Sequence, residues 1–398
     1  MEWKEYQIQD VCRLINGRAY SNDEMLEHGK YKIVRVGNLS GGNSTWFYSD
    51  LELPADKYCH NGDLLFAWAC TFGPHIWKED NTIFHYHIWK IVEDKDVVDR
   101  RFFYYYLKFA TGGFLGALNG SVMVHITKSS MEKMIIRIPK KLDDQRRIAS
   151  ILSSLDRKIE MNNKINADLE EMAQAIFKNW FVDFEPFKDG KFVDSELGMI
   201  PEGWKVGRAD DFYQINIGKT PPRKEHKWFS TNPADKIWVS IANMGNSGIF
   251  ISDSSEYLTK EAVDRHNIIM VPRNTILLSF KLTVGRVAIA DKELTTNEAI
   301  ARFILSDDKY MEYLYLYLKK YDYNSLGSTS SIATAVNSKT IKGMQMLQPS
   351  DKIIDAFHIQ VNPIFEKIRS LTKENSRLSL LRDTLLPRLM SGELEVPE

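Results

Sequence analysis

Between Asp143 and about Val182 the apolar positions fall three and four residues apart, at Leu152, Leu155, Ile159, Leu169, Ala173, Ile176 and Trp180. This spacing predicts one long helix whose narrow apolar stripe needs a second helix to cover it. Two seam positions, Asn162 and Asn166, are polar and interrupt the stripe at mid-length. Asp143 and Asp144 supply a helix start, and Glu185-Pro186 forbids continuation, because a residue before proline is pushed out of the α region. About 40 residues at about 1.5 Å each make a rod of roughly 60 Å, longer than one ordinary domain needs.

The pattern returns at the C-terminus. Leu152, Leu155, Ile159, Asn166, Leu169 and Ile176 are matched by Val361, Ile364, Ile368, Asn375, Leu378 and Leu385, all at an offset of 209 (361 − 152). The segments before each helix repeat as well. Trp3-Lys4 leads through Val11 and Ile15 to Gly17, and Trp204-Lys205 leads through Phe212 and Ile215 to Gly218. Segments 34–39 and 239–244 each predict a short strand ending in Asn, followed by Gly/Asn/Ser turns at 40–43 and 245–248. Apolar strands at 62–66 and 274–278 precede Gly73 and Gly285, and aromatic helical runs follow at 103–107 and 313–318. Polar loops opening Gly120-Ser121 and Gly327-Ser328, then Ile138-Pro139 and Gln348-Pro349, complete the two copies.

A period near 205 residues is too long for a solenoid. The predicted fold is therefore α+β and internally duplicated: a mixed α/β domain at 1–142, a long helix at 143–185, a second mixed domain at 186–349 and a second long helix at 350–398. Two copies in one chain can pack about a pseudo-twofold axis, making the helices antiparallel partners in a coiled coil. Asn166 and Asn375 share a seam position and are the candidate pair for a polar layer that fixes register at some cost in stability. The 184–203 segment is expected to be an ordered crossover, since Phe181, Phe184, Phe187 and Phe192 can all pack.

Composition places the 398 residues among soluble globular proteins, with 43% hydrophobic and 26% charged residues. No apolar run is long enough for a membrane span, and the N-terminus lacks signal-peptide form, so a cytoplasmic location is expected. Cys12, Cys59 and Cys70 have no metal-ligand spacing and are expected to be buried, reduced thiols. A net charge of −1 offers no global basic field, so any nucleic-acid contact must concentrate its cations on one face.

Catalytic signatures are absent from the sequence: there is no Walker loop, GxGxxG, HExxH or GxSxG. His85 and His87 alternate in a strand-like run and read as one face of a sheet rather than as metal ligands. Asn362-Pro363-Ile364-Phe365 resembles the tetrapeptide with which N6-adenine methyltransferases hold their target, but it lies inside the second apolar stripe and has no Gly-rich donor loop upstream. It reads as a proline kink near a helix start. Basic, amide and small polar residues gather instead at equivalent loop positions. In the first copy they are Lys30, Lys32, Arg35, Asn38, Asn43, Thr45, Trp46, Thr71, His75, Asn119, Ser121, His125 and Lys128. In the second they are Lys219, Thr220, Arg223, Lys224, Asn243, Lys281, Thr283, Arg286, Ser328, Thr329, Asn337 and Lys339. Arg, Lys and Asn pair with base edges, while Ser, Thr and Lys mostly hold phosphates. A scaffold kept twice with divergent loops suits two modules reading two sequences.

Three stretches carry a resemblance to a known family. The first runs from Asp144-Gln145 through Leu155-Asp156-Arg157-Lys158-Ile159, Asn162-Asn163 and Leu169-Glu170 to Ile176-Phe177-Lys178-Asn179-Trp180-Phe181 and Asp183-Phe184. The second is the segment 194–204, from Asp194-Ser195-Glu196-Leu197-Gly198 to Pro201-Glu202-Gly203-Trp204, and the third is 381–394, Leu381-Arg382-Asp383-Thr384-Leu385-Leu386-Pro387 onward. With them the chain resembles, over essentially its whole length, the specificity subunit of a type I restriction-modification system. The resemblance implies two target-recognition domains, each reading half of a bipartite site in double-stranded DNA. It further implies paired helices that set the spacing and dock two modification (methyltransferase) subunits, with restriction subunits joining that core. The chain itself would be non-catalytic and bind no cofactor; methyl donor, ATP and Mg would sit on the partners. Two other classes compete: an adenine-N6 methyltransferase acting through Asn362 to Phe365, and a coiled-coil scaffold with no nucleic-acid role.

Overall fold

In the computed structural model the longest elements are the helices Leu142–Phe181 and Asp351–Ser391. The structure describes residues 1–39, 44–69, 72–117, 126–326 and 336–397, without the side chains of 113–117 and 246. Past the first helix Phe184 turns the backbone left-handed, at φ +53°, into the short 3-10 turn Glu185–Phe187 that carries Pro186. The second helix runs unbroken through Pro363, and its first turns are docked rather than interrupted: Ile354, Phe357 and Val361 are fully buried. Pro363 and Ile359, whose carbonyl loses its helical partner, both lie on the exposed side, where water can take the bond.

The chain divides into two compact units, Met1–Glu160 with Ser376–Glu398, and Met161–Asn375. Each contains one end of each long helix. In the first unit an antiparallel sheet orders strands Cys12–Asn16, Ile88–Glu93, Leu64–Ala67 and Gly73–Ile76. A mixed sheet orders Phe47–Ser49, Tyr31–Val34, Thr82–Phe84 and Tyr58–Cys59, and Trp3–Gln7 pairs with Ile135–Pro139. The second unit repeats this plan. Gln214–Ile217, Ile300–Ile304, Ile276–Ser279 and Val287–Ala290 form one sheet, extended by Phe250–Ile251. Phe229–Ser230, Tyr257–Leu258, Lys236–Val239 and Thr295–Thr296 form the other, and Lys205–Arg208 pairs with Gln345–Gln348. The repeated glycines mark the same backbone crossing. A Cβ on Gly17 would lie 2.2 Å from the His85 carbonyl oxygen, and one on Gly218 would lie 1.9 Å from that of Asn297. No other residue fits at such an approach.

Each core is closed by helix. In the first unit Ile148, Ala149 and Leu152 join Leu386, Leu389 and Met390 over Leu14, Phe66, Ile91 and the helix Arg100–Ala117. Tyr105 Oη and Arg382 Nη1 both donate to Asp156, at 2.6 and 2.7 Å. In the second unit Ala173, Phe177 and Phe181 meet Phe357, Val361 and Phe365 over Ile276, Ile289 and the helix Met311–Lys320. There Tyr315 Oη donates to Glu170 at 3.0 Å, and buried Asp291 receives Arg369 at 2.9 Å. The crossover is ordered as expected, with Phe184 and Phe187 packed edge-on against Trp204 at 5.6 and 5.1 Å.

Two local expectations change. Segments 34–39 and 239–244 are not continuous strands: the strands end at Val34 and Val239, and one-turn helices follow at Val36–Leu39 and Ile241–Asn246. The cause is Asn38 and Asn243, whose side-chain oxygens accept the Arg35 and Ser240 N–H at 3.0 and 2.9 Å and bend the chain. The polar layer also forms one turn from its expected place. Asn162 Nδ2 donates to Asn375 Oδ1 at 2.9 Å and to Glu374 at 2.8 Å, while Asn375 Nδ2 donates to Asn163 Oδ1 at 2.8 Å. Asn166 is not Asn375's partner, and its side-chain oxygen is buried without a hydrogen bond. In antiparallel helices positions related by the duplication offset do not generally face each other; advancing along one helix means retreating along the other.

Cys12 and Cys59 are buried free thiols, and burial, reinforced by nearby carboxylates, pushes each up to about 12. Cys70 lies outside the described residues. Below that value they stay protonated and hidden. In a Cys70→Ser variant, a thiol reagent at pH 8 should therefore label neither until denaturant is added. Substituting Asn375 by Ala leaves the buried Asn162 amide with Glu374 as its one remaining acceptor and opens a gap in the seam, so the melting temperature should fall by a few degrees, as for a loss of about 1–2 kcal/mol. Replacing Asn162 and Asn375 together by Leu should raise it instead, because the buried amide is gone and its former neighbours, exposed Asn163 and half-buried Glu374, can turn to water. Thermal denaturation of the three proteins checks both signs.

Candidate functional site

In the first unit the residue after Gly17, Arg18, forms a two-pronged ion pair with Glu24 at 2.9 and 2.7 Å and lies over the Tyr20 ring. The Arg18 bond and the Ser21 backbone hold the half-buried Glu24 carboxyl down at about 2. Beside it, His85-Tyr86-His87 is a tight turn between two strands and not the sheet face expected from its alternation. The Gly17 crossing forces the chain to reverse there, and the Arg18 carbonyl accepts the Tyr86 N–H. Trp68 packs on this turn: its indole N–H donates to the Tyr86 carbonyl at 2.9 Å, and its ring lies 5.1 Å from that of His87. Burial, with help from His87 and Arg35, lowers His85 to about 4, and burial also lowers His87. Both rings are thus neutral at physiological pH, and together with half-exposed Tyr86 they form an aromatic platform.

Several predicted residues adjoin it. Lys32 lies over the Trp46 ring at 3.9 Å and pairs with Glu79, Arg35 lies over Phe47 at 5.1 Å, and Arg35, Asn38 and Thr45 line one cavity of about 420 Å³. Lys30 is tied to Glu52. His75 does not belong to this face. It lines a separate groove beside Tyr104, Lys108 and Arg382, where burial lowers its pKa. Lys128 pairs with Glu132 along a short helix capped by Thr127.

The second unit has a different surface on the same scaffold. The turn matching His85-Tyr86-His87 is Asn297-Glu298-Ala299, set by the strand pairings of Val34 with Phe84 and Val239 with Thr296. Glu298 is the centre of a charged cluster. Burial works against its charge, yet the Thr220 hydroxyl, its own backbone, Lys281 and Arg223 together keep its pKa lowered. Arg223 is clamped between the Phe229 and Trp238 rings at 4.2 and 4.5 Å and bonds Glu256 at 2.8 and 3.0 Å. Lys219, the counterpart of Arg18, donates to the His266 carbonyl at 2.6 Å, and Lys224 is exposed on the same loop.

Other predicted residues serve the fold. Asn38 and Asn243 cap their turns, and Asn337 caps the helix Ser338–Lys342, which carries exposed Lys339. Arg286 donates to the Ile241 carbonyl at 2.8 Å and packs so closely on Gly245 that a Cβ there would lie 2.4 Å from Nη1. Thr283 is exposed on the loop that carries Lys281. Asn43, Thr71, Asn119, Ser121, His125, Ser328 and Thr329 lie outside the described residues. Sequence reasoning missed Arg18, Tyr20, Trp68, Tyr86 and Glu298. The repeated glycines held a usable signal, since the 201-residue offset (218 − 17) pairs Arg18 with Lys219. The methyltransferase-like tetrapeptide is structural: Asn362 donates to buried Glu312 at 2.9 Å, and His358 meets the same carboxyl at 2.8 Å. Among the described residues no His, Cys, Asp and Glu group assembles as a metal site, and no helix is long and apolar enough to cross a membrane.

Known proteins share this plan. A specificity subunit of the type I restriction enzyme HindI from Haemophilus influenzae is 28% identical over 99% of this chain and 100% of its own. That of MjaIX from Methanocaldococcus jannaschii is 31% identical over 76% of this chain and 71% of its own. The crystal structure of the type I restriction-modification S subunit from M. genitalium shares the fold with a TM-score of 0.57 at 15% identity, covering 98% of this chain and 96% of that one. The family model described as type I restriction modification DNA specificity domain matches twice, over residues 1–171 and 201–359, and the chain belongs to that family.

Proposed function

We propose that this chain is the DNA-reading subunit of a type I restriction-modification complex, each unit reading one half of a bipartite site. The observation that carries this reading is the contrast between two matching scaffolds and their unlike faces. The turn at 85–87 is an aromatic, uncharged platform, whereas its counterpart at 297–299 organises a charged cluster. Cores kept alike while equivalent surfaces diverge suit recognition of two different sequences better than a scaffold role, which gives no reason for such divergence. Arg18, Arg35 and Lys32 on one face, and Lys219, Arg223 and Lys281 on the other, would meet phosphates and base edges. Most of these cations already have carboxylate or carbonyl partners, so DNA must displace or share those bonds.

The long helices would set the spacing between half-sites and dock two modification subunits, with restriction subunits added to that core. Methyl donor, ATP and Mg would be bound by those partners, and the complex would work in the cytoplasm. With a net charge of −1, the isolated chain should bind DNA weakly. Adding modification subunits should tighten binding by orders of magnitude; nanomolar, sequence-specific binding by the chain alone would contradict this.

Methylome mapping of cells with and without the chain gives the site. Arg223→Ala with Lys219→Ala should then relax or abolish the half belonging to the second unit and leave the other half unchanged. Equal loss at both halves would overturn the assignment. Adding one heptad after Asn163 and one after Asn375 adds about 10 Å, so the gap between unchanged half-sites should grow by about three base pairs.

A further inference from the structure

Between the strands Ile276–Ser279 and Val287–Ala290 the chain makes a short loop with an unusual tip. Leu282 is 100% exposed, more than any other large apolar side chain among the described residues. Its backbone is left-handed, at φ +61°, a conformation that a leucine rarely adopts. Solvent exposure and strain both work against leucine there, and neither is relieved by contact with the described residues of the unit.

The loop is nevertheless built to hold that geometry. The Thr283 N–H donates back to the Lys281 carbonyl at 2.7 Å, closing a three-residue turn with Leu282 at its apex. Fully buried Ser279 braces the base: its hydroxyl donates to the Thr283 carbonyl at 2.6 Å and accepts the Arg286 N–H at 3.0 Å. Gly285, at φ +89°, lies so close to the Tyr323 ring that a Cβ would be 2.9 Å from it. Such over-determination of a strained residue is what permits it to persist. Next to Leu282, Lys281 belongs to the cluster around Glu298.

We propose that Leu282 is a wedge that enters the duplex at a base step of the half-site read by the second unit, unstacking it, while Lys281 and its neighbours hold the adjacent phosphates. This rests on the DNA-reading role above. The chemistry is that of an apolar side chain on a rigid tip: exposed leucine gains burial between bases, and step deformability then adds specificity without a hydrogen bond to any base. By the strand register the first unit carries Cys70 at the matching position, so the wedge is assigned to one half-site only.

The test uses the full chain at low salt and duplexes recovered by binding to it from a random-sequence pool, resynthesised with 2-aminopurine at successive positions. One step should brighten several-fold on binding. Leu282→Asn keeps a residue that tolerates the left-handed backbone but cannot wedge. It should abolish the brightening and weaken binding about tenfold, the order expected when a leucine loses its burial, whereas Leu282→Phe should retain the signal. Brightening and affinity unchanged in Leu282→Asn would overturn the wedge while leaving DNA reading intact. So would a loss confined to assembly with modification subunits. If no duplex is enriched even by the chain assembled with modification subunits, the DNA-reading role falls and the wedge with it.

Discussion

A helix of forty residues with a two-sided surface and a thin apolar seam is not stable alone in water, nor can one sheet face bury all of it. That constraint governs the molecule. The seam must meet another seam, and the chain supplies one by carrying its domain-and-helix unit twice. In each compact unit one end of the first helix runs antiparallel to one end of the second, and both ends cap the same core. The hydrophobic contacts would tolerate a slip of a turn. The bonds from Asn162 to Asn375 and Glu374, and from Asn375 to Asn163, would not, because each slip leaves buried amides unpaired.

Duplication fixes some positions strictly and releases others. Gly17 and Gly218 are fixed by backbone contact, and Tyr105 and Tyr315 both reach a carboxylate on the first helix. Lys90 and Arg302, matched through strand pairing, each place a cation among backbone carbonyls: Lys90 on Tyr58, and Arg302 on Ile217 and Ile269. Burial lowers Arg302 to about 10, which still leaves it charged at neutral pH. The turns after the crossings are under no such constraint. One became His85-Tyr86-His87 and the other Asn297-Glu298-Ala299, so the chemistry of the two faces diverged where the fold does not depend on it.

This also explains why candidate residues chosen by type divide as they do. Asn is chosen for base edges, but its side chain equally suits a turn or helix cap, and Asn38, Asn243 and Asn337 are used that way. Arg286 was the same kind of candidate, yet it is spent on the Ile241 carbonyl and on the back of Gly245. Arg223 and Lys32 instead stack on aromatic rings and pair with Glu256 and Glu79 at the surface, where a phosphate can displace or share the ion pair.

The sequence by itself determined the long helices, the duplication, the ordered crossover and the family, because all of these are periodicities or fixed spacings that persist along the chain. Only the tertiary structure decided which side chains share a face. Arg18 meets the turn at 85–87, and Lys281 and Arg223 both come within electrostatic reach of Glu298, through strand pairing across dozens of residues. It also decided that Asn375 pairs with Asn162 and Asn163 rather than Asn166. Sequence offset aligns equivalent positions in the same direction, whereas antiparallel helices oppose them in reverse, so register is a property of the packed pair and not of either helix.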